Sequence, residues 1–202
     1  MADRLDGPAR WTQRLYLATA IAGMPALLAI MAGETGYLPG IGYLPMPVLL
    51  GAGVVAIAYG VLALAASVWF LIWTFRAFRL AAEAMPGATD VTPGWAVGWY
   101  FVPIWFLWKP YIALRDIWTA ALSAPVPALF ARWWTTSVLA ISSAILLEAA
   151  RSFLLLYVGV YSVLIGDVIV TLAGVAVCLT TAAVVGQVTP LLNGRRDETV
   201  FA

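Results

Sequence analysis

The sequence contains no histidine, a single cysteine and few charged residues, which make up 10% of its 202 positions. The absence of histidine removes the commonest transition-metal ligand, the usual haem ligand and the usual general base. Cys178 has no second cysteine with which to form an intramolecular disulfide. The net charge is +1 and no basic run is long enough to suggest a nucleic-acid surface. We therefore expect no metal, no cofactor and no nucleic-acid partner.

The motifs that carry enzyme chemistry are also missing. The sequence has no nucleophile with a base beside it, no glycine-rich phosphate loop and no paired carboxylates. Gly94 and Gly98 flank Trp95 without the strand-turn-helix context that a dinucleotide fingerprint needs. The sequence predicts a protein that is not an enzyme and has no catalytic residue.

Hydrophobic residues dominate the composition, at 63% of the chain. A chain of this kind cannot cover a globule with polar surface, so we expect lipid to be its main solvent. Four apolar runs are long enough to cross a hydrocarbon core of about 30 Å. They span about 15–32, 48–75, 134–157 and 168–188. We predict an all-α membrane protein, a four-transmembrane-helix bundle that forms a single domain over residues 1–202.

A tryptophan-rich segment, residues 92–122, lies between the second and third runs and holds five of the ten tryptophans. As a helix, Trp95 to Trp108 would reach only about 20 Å, too short to cross a bilayer. Pro103 and Pro110 also interrupt it. The segment is predicted to be either a re-entrant hairpin that turns at Pro103 or a helix lying flat, on the cytoplasmic interface.

The basic residues determine the predicted orientation. If the tryptophan-rich segment does not cross the membrane, ten of the eleven Lys and Arg residues lie on one side and Arg151 alone lies on the other. If the segment crossed, five of them would move outside and the asymmetry would disappear. All ten tryptophans also fall toward the same inner face in the four-span arrangement. The positive-inside rule then predicts that both termini are cytoplasmic.

One set of candidate site residues lies at the inner interface, where cations favour anionic headgroups and aromatic rings favour the membrane boundary. Its members are Trp73, Arg76, Arg79, Trp95, Trp99, Pro103, Trp105, Trp108, Lys109, Pro110, Arg115, Asp116 and Trp118. We predict that this set lies at the interface and is the candidate site for a partner or lipid. For Arg76 and Arg79, ordinary anchoring at the membrane surface is favoured over a specific site.

Two further sets lie within the predicted spans. Small residues recur at every fourth position, which lets another helix approach closely: Ala52, Ala56 and Gly60 in the second run, and Gly174, Cys178, Ala182 and Gly186 in the fourth. A polar cluster toward the outer face comprises Glu34, Glu148, Arg151 and Asp167. Glu148 and Arg151 are three residues apart and share a helix face, so we predict a structural ion pair, with a proton or cation relay as the alternative.

Three motifs resemble bacterial multi-pass membrane proteins of the family named domain of unknown function 4328. They are Trp73-x-x-Arg76-Ala, TPGWAVGWYFVPI from Thr92, and LWKPYIALRDIW from Leu107. Where the family pattern often has asparagines, this chain has Leu80 and Trp105-Phe106. The resemblance implies the membrane fold, a bacterial inner-membrane location and no particular activity. It also implies that a shared role resides at the matched positions Trp73, Arg76, Trp95, Pro103, Pro110 and Asp116.

Packing surfaces and anchors without catalytic groups favour an accessory, scaffold or self-associating subunit that binds other membrane proteins or itself. The alternative is a binder of lipid or another hydrophobic ligand, or a sensor of membrane state, that uses the tryptophan-rich segment. An ion- or proton-coupled transporter using Glu148, Arg151 and Asp167 is the third hypothesis.

Overall fold

The structure is a computed structural model that describes residues 5–38, 42–87, 90–122 and 125–201. In chain order its elements are α1 (Asp6–Thr35), β1 (Tyr37–Leu38), β2 (Gly42–Tyr43), α2 (Met46–Ala84), α3 (Pro93–Gly98), α4 (Pro103–Phe106), α5 (Lys109–Leu122), α6 (Ala128–Phe153) and α7 (Val160–Phe201). A short 3₁₀ helix, Trp99–Phe101, follows α3, and a π-helical turn, Leu154–Val158, ends α6.

Within these described ranges, α1, α2, α6 with its π-helical turn, and α7 are the helices long and apolar enough to cross a membrane. This confirms the predicted all-α membrane fold with four long apolar helices. The helices extend beyond the apolar runs, because hydropathy marks only the part of a helix that hydrocarbon can cover. Helix α2, with 39 residues, is about 58 Å long, well beyond the hydrocarbon thickness of about 30 Å.

The connections at one end of the long helices are short. Strands β1 and β2 pair antiparallel, with Tyr37 opposite Tyr43. Gly159 is the only residue between the π-helical turn and α7, and its φ of +101° reverses the chain where other residues would be strained. The sequence predicts a loop over about 159–167, but the structure continues as helix from Val160, because one glycine suffices for the reversal.

The chain divides into two compact units. The first unit comprises Met1–Leu15, Ala66–Trp134 and Thr180–Ala202, and the second comprises Tyr16–Ala65 and Thr135–Leu179. All ten tryptophans belong to the first unit. Among the basic residues that the structure describes, Arg151 alone belongs to the second.

The second unit contains close helix contacts made possible by glycine. A Cβ atom at Gly23 of α1 would lie 3.1 Å from Val175 Cγ2 of α7, and a Cβ atom at Gly166 of α7 would lie 2.4 Å from Leu147 Cδ1 of α6. Neither position has room for a larger side chain without movement of its neighbour. These glycines therefore set how closely α7 packs against α1 and α6 in this unit.

Candidate functional site: an aromatic platform

The tryptophan-rich segment is a broken chain of short helices. Thr92 caps α3 by accepting a hydrogen bond from Trp95 N at 3.4 Å, and Pro93 occupies the first turn. Val102 is extended, with φ −102° and ψ +109°, because a residue that precedes proline is disfavoured in the helical conformation. Helix α4 then begins at Pro103. The predicted interruption at Pro103 is thus present, and no helix in the segment is long enough to cross a membrane.

Aromatic rings of α2 and α6 pack against this segment. Phe70 stacks on Trp73 at 5.8 Å between ring centroids and meets Tyr100 edge-on at 5.8 Å. Phe70 also contacts Trp133 of α6, at 6.1 Å. Trp73 and Trp133 are 0% and 2% exposed. These four rings therefore link two long helices to the 3₁₀ helix of the segment.

Three indole N–H groups near this segment, those of Trp73, Trp133 and Trp134, have specific acceptors. Trp73 Nε1 donates to Thr189 Oγ1 at 3.0 Å, and Trp133 Nε1 donates to Thr181 Oγ1 at 3.1 Å, both on α7. Trp134 Nε1 donates to the carbonyl oxygen of Leu107 at 2.9 Å, which pins the end of α4 to α6. The Trp–Thr hydrogen bonds are not among the sequence-based predictions. Their only signal in the sequence is that threonine hydroxyls can satisfy buried indoles.

The outward face of the segment is apolar. We call this face the aromatic platform, and it comprises Trp95, Phe101, Ile104, Trp105, Leu107 and Trp108, each at least 41% exposed. Trp95 and Trp105 meet edge-on at 5.9 Å. Exposed apolar surface of this kind marks contact with lipid or with another protein. The segment therefore combines ring contacts with buried aromatic residues and a set of exposed apolar side chains.

Three cations of the predicted interface set, Arg76, Arg79 and Lys109, lie in the first unit. Lys109 Nζ lies 5.1 Å from the centre of the Trp99 ring, a cation–π contact. Arg79 pairs with Glu83 at 3.0 Å, the spacing of four that the sequence predicts, and both side chains are more than half exposed. Arg76 is half-buried and makes contacts of its own.

Helix α5 begins at Lys109, with Pro110 buried in its first turn, as the sequence predicts. Arg115 and Asp116 form an ion pair at 2.9 Å that is largely exposed. Trp118 meets the Phe130 ring edge-on at 5.2 Å. Of the predicted interface residues, Trp73 and Pro110 are buried and Trp118 is half-buried, whereas Trp95, Trp105 and Trp108 are exposed.

The polar cluster of the second unit centres on Arg151. Its Nε donates to Glu148 at 3.0 Å, and its Nη2 donates to Asp167 Oδ1 at 3.1 Å. Asp167 is buried, with a side chain 9% exposed, whereas the Glu148 side chain is 74% exposed. The side chain of Glu34 lies outside the described residues. The ion pair between Glu148 and Arg151 is therefore present, and Arg151 extends it to Asp167.

The small-residue stripes rotate gradually around their helices, because a spacing of four advances about 40° past a full turn at each step. In α2, Ala52 is buried, Ala56 is half-buried and Gly60 is exposed. In α7, Gly174 has open space beside it, Cys178 and Ala182 are buried, and a Cβ atom at Gly186 would lie 2.6 Å from Gln13 Nε2. Only part of each stripe can therefore face any one neighbour.

The described side chains offer surfaces for binding. Among them, no group of three His, Cys, Asp or Glu residues could hold a metal ion.

A family model described as a domain of unknown function (DUF4328) matches residues 49–190, which is more than half of the chain. The match includes α2 from its fourth residue, the whole tryptophan-rich segment and α6, and it ends at Pro190 of α7. It confirms the resemblance seen in the three motifs. No curated protein and no solved structure matches the chain.

Proposed function

The chain belongs to the DUF4328 family, and we propose that it is a non-enzymatic multi-pass membrane protein that associates with a second copy of itself or with another membrane protein. The observation that carries the proposal is the outward position of Glu148. Its side chain is 74% exposed on a helix apolar enough to cross a membrane. A carboxylate that faces hydrocarbon is costly, so a protein surface that covers it and supplies hydrogen bonds would be favoured.

Helix α2 offers a second outward surface suited to helix packing. Gly53 and Gly60 are seven residues apart, so they share a helix face, and both are exposed. A Cβ atom at either position would meet no other atom within 4 Å. In lipid, apolar side chains give helices no net drive to associate, whereas small residues permit close backbone contact. The open glycine face therefore supports an intermolecular role.

Association can be measured by single-molecule photobleaching of labelled protein in liposomes, over a range of protein-to-lipid ratios. We expect Glu148→Gln to weaken association about tenfold or more, the effect of losing one charge-assisted contact. Glu83→Gln is the matched control, because Glu83 also pairs with an arginine at 3.0 Å on a helix and is also more than half exposed. Glu83 lies beyond the apolar run that ends at Phe75.

A partner other than a second copy would appear as a polypeptide that co-purifies with the wild type and with Glu83→Gln but is lost from Glu148→Gln. Equal association of Glu148→Gln and Glu83→Gln in both assays would refute the proposal.

The aromatic platform favours a second candidate function, the binding of lipid or of another hydrophobic ligand. Trp95 and Trp105 are exposed in helices too short to span, and Trp108 is exposed in the turn between α4 and α5. Lys109 follows this turn and places its ammonium over the Trp99 ring. Lipids brominated at defined acyl positions should quench these tryptophans more strongly than the buried Trp73. Replacing Trp95, Trp105 and Trp108 by Phe should therefore lower the quenchable fluorescence if the platform faces lipid, and the exposed Trp11 should account for what is left.

We propose that the protein lies in the bacterial inner membrane with both termini and the aromatic platform on the cytoplasmic side. The proposal rests on the positive-inside rule and on the membership of the tryptophans and nearly all described basic residues in one unit. Ala120 is exposed on α5, so a cysteine placed there should resist an impermeant thiol reagent added outside intact cells. Native Cys178 is buried and gives little background. Labelling from outside would contradict this orientation.

A further inference from the structure

A polar cleft opens in the first unit between the first turns of α1 and a stretch of α7. It has a volume of about 390 Å³ and is lined by Asp6, Ala9, Arg10, Gln13, Val185, Gly186, Thr189 and Pro190. This volume lies within the range of small-molecule sites. None of these lining residues belongs to the aromatic platform.

Three polar side chains of the cleft are held in place and keep bonding capacity. Asp6 Oδ1 accepts from Asn193 Nδ2 at 2.8 Å, Arg10 Nε donates to the Asp6 backbone carbonyl at 3.1 Å, and Gln13 Nε2 donates to the Ala182 carbonyl at 3.1 Å. The described contacts include no ion pair between the Asp6 carboxylate and the Arg10 guanidinium. Asp6 Oδ2, the terminal nitrogens of Arg10 and Gln13 Oε1 take no part in these hydrogen bonds.

Helix α7 contributes a further acceptor to the cleft. Pro190 lies inside the helix and has no N–H, so it cannot donate to the carbonyl of Gly186 four residues earlier. Both residues line the cleft. Thr189 has no free donor, because its hydroxyl donates to the Val185 carbonyl at 2.7 Å; it also accepts from Trp73.

The cleft thus combines one cation, one anion and uncharged acceptors. A purely anionic ligand would suit Arg10 but repel Asp6, and a purely cationic ligand would do the reverse. A zwitterion with a phosphate and a primary ammonium satisfies both, since its ammonium has three N–H donors for Asp6, the Gly186 carbonyl and Gln13 Oε1. A quaternary ammonium has no N–H to donate, and none of the described residues that line the cleft has an aromatic ring to receive it.

The position of the cleft relative to the apolar run of α1 indicates that the ligand is a lipid. Its α1 residues end at Gln13, and the apolar run of that helix begins at Leu15. Charged residues that immediately precede an apolar run lie at the level of phospholipid headgroups. We propose that this cleft binds the headgroup of an amine-bearing zwitterionic phospholipid, phosphatidylethanolamine, through Asp6 and Arg10. This inference is independent of the proposed association through Glu148.

The test is native mass spectrometry of the full chain released from nanodiscs that contain equimolar phosphatidylethanolamine, phosphatidylcholine and phosphatidylglycerol. A series of N-methylated, N,N-dimethylated and trimethylated headgroups removes the ammonium N–H donors one at a time. We expect retention of phosphatidylethanolamine that falls along the methylation series. We also expect Asp6→Asn and Arg10→Gln each to weaken this retention about tenfold or more.

Matched controls lie close by in the chain. Arg14→Gln and Asp197→Asn remove exposed charges from α1 and α7 that do not line the cleft, and we expect them to keep wild-type selectivity. Asp6→Asn retains an oxygen that can accept from Asn193, so its fold should survive. Should Arg10→Gln fail to fold, Gly186→Ala provides a second test, because its Cβ would displace the flexible Gln13 amide into the cleft.

The outcomes separate the sources of the ligand. Competition by soluble glycerophosphoethanolamine at similar affinity would support the same chemistry but assign it to a free molecule rather than a lipid. Preferential retention of phosphatidylglycerol or phosphatidylcholine would overturn the proposal. Equal selectivity of the wild type and Asp6→Asn would overturn it as well.

Discussion

Replacing Thr189 by valine should destabilise the protein, because it leaves a buried indole without a hydrogen-bond partner. Trp73 is 0% exposed, and its Nε1 donates to Thr189 Oγ1 at 3.0 Å. Valine has nearly the volume of threonine, so the packing is kept and only the acceptor is lost. An unsatisfied buried donor costs about 1–3 kcal/mol. We expect the free energy of unfolding to fall by this amount.

The same substitution at Thr74 should not lower the stability of the protein. Thr74 is 2% exposed, one residue away from Trp73, and its hydroxyl has no hydrogen-bond partner in the part of the chain that the structure describes. Valine there removes an unsatisfied buried polar group, so stability should be unchanged or rise by up to about 1 kcal/mol. The two variants involve identical chemistry and similar burial, and they differ only in whether the hydroxyl is used.

Unfolding in mixed micelles with increasing SDS, followed by tryptophan fluorescence, measures both variants on one scale. Near-ultraviolet circular dichroism should also change for Thr189→Val, because the Trp73 indole loses its acceptor. The double-mutant cycle with Trp73→Phe should give a coupling energy of about 0.5–1.5 kcal/mol for the hydrogen bond. If Thr74→Val proved as destabilising as Thr189→Val, the cost would come from the substitution itself, and the argument from the hydrogen bond would be refuted.

Three further predictions concern the second unit and use the same unfolding assay. Gly166→Ala should lower the free energy of unfolding by about 1–3 kcal/mol, because its Cβ would lie 2.4 Å from Leu147. Gly53 has open space beside it, so Gly53→Ala should leave the stability of the monomeric protein unchanged or raise it slightly. Arg151→Gln should lower the free energy of unfolding by about 3–5 kcal/mol, because it leaves the Asp167 carboxylate buried without its cation. The double variant Arg151→Met/Asp167→Leu should recover most of that loss, and a loss as large as that of the single variant would contradict the structural interpretation of the pair.

Those features of the fold that depend on local physics follow from the sequence. The number of long apolar helices follows from run length, and the break at Val102 follows from the proline after it. The ion pair between Arg79 and Glu83 follows from their spacing on one helix.

Features that depend on which helix faces meet do not follow in the same way. Asp6, which lines the cleft, accepts a hydrogen bond from Asn193, and the two residues are 187 positions apart in the sequence. No local pattern encodes that contact. Apolar periodicity does not show which helix faces meet, because lipid and the protein interior are similarly apolar. A leucine is therefore equally stable facing either one.

The positions of some threonines indicate which helix faces are buried. Thr12 and Thr19 are seven residues apart on α1 and both are buried, and Thr181 and Thr189 are eight apart on α7 and both are buried. A hydroxyl that faces hydrocarbon has no partner except its own helix backbone, whereas one that faces a neighbouring helix can also accept from an indole. In α1 and α7, these threonine pairs therefore lie on buried faces of their helices.

By the same reasoning, Glu148 stands out. An exposed serine or threonine on a membrane helix can donate to a carbonyl of its own backbone, but an ionised carboxylate has no proton to donate and must find a donor elsewhere. Arg151 supplies one such donor to Glu148 at 3.0 Å, yet Arg151 is also shared with Asp167. Most of the Glu148 side chain remains exposed. A protein surface with hydrogen-bond donors at this position would satisfy the rest, which is why the association experiment is directed at Glu148 rather than at the more apolar platform.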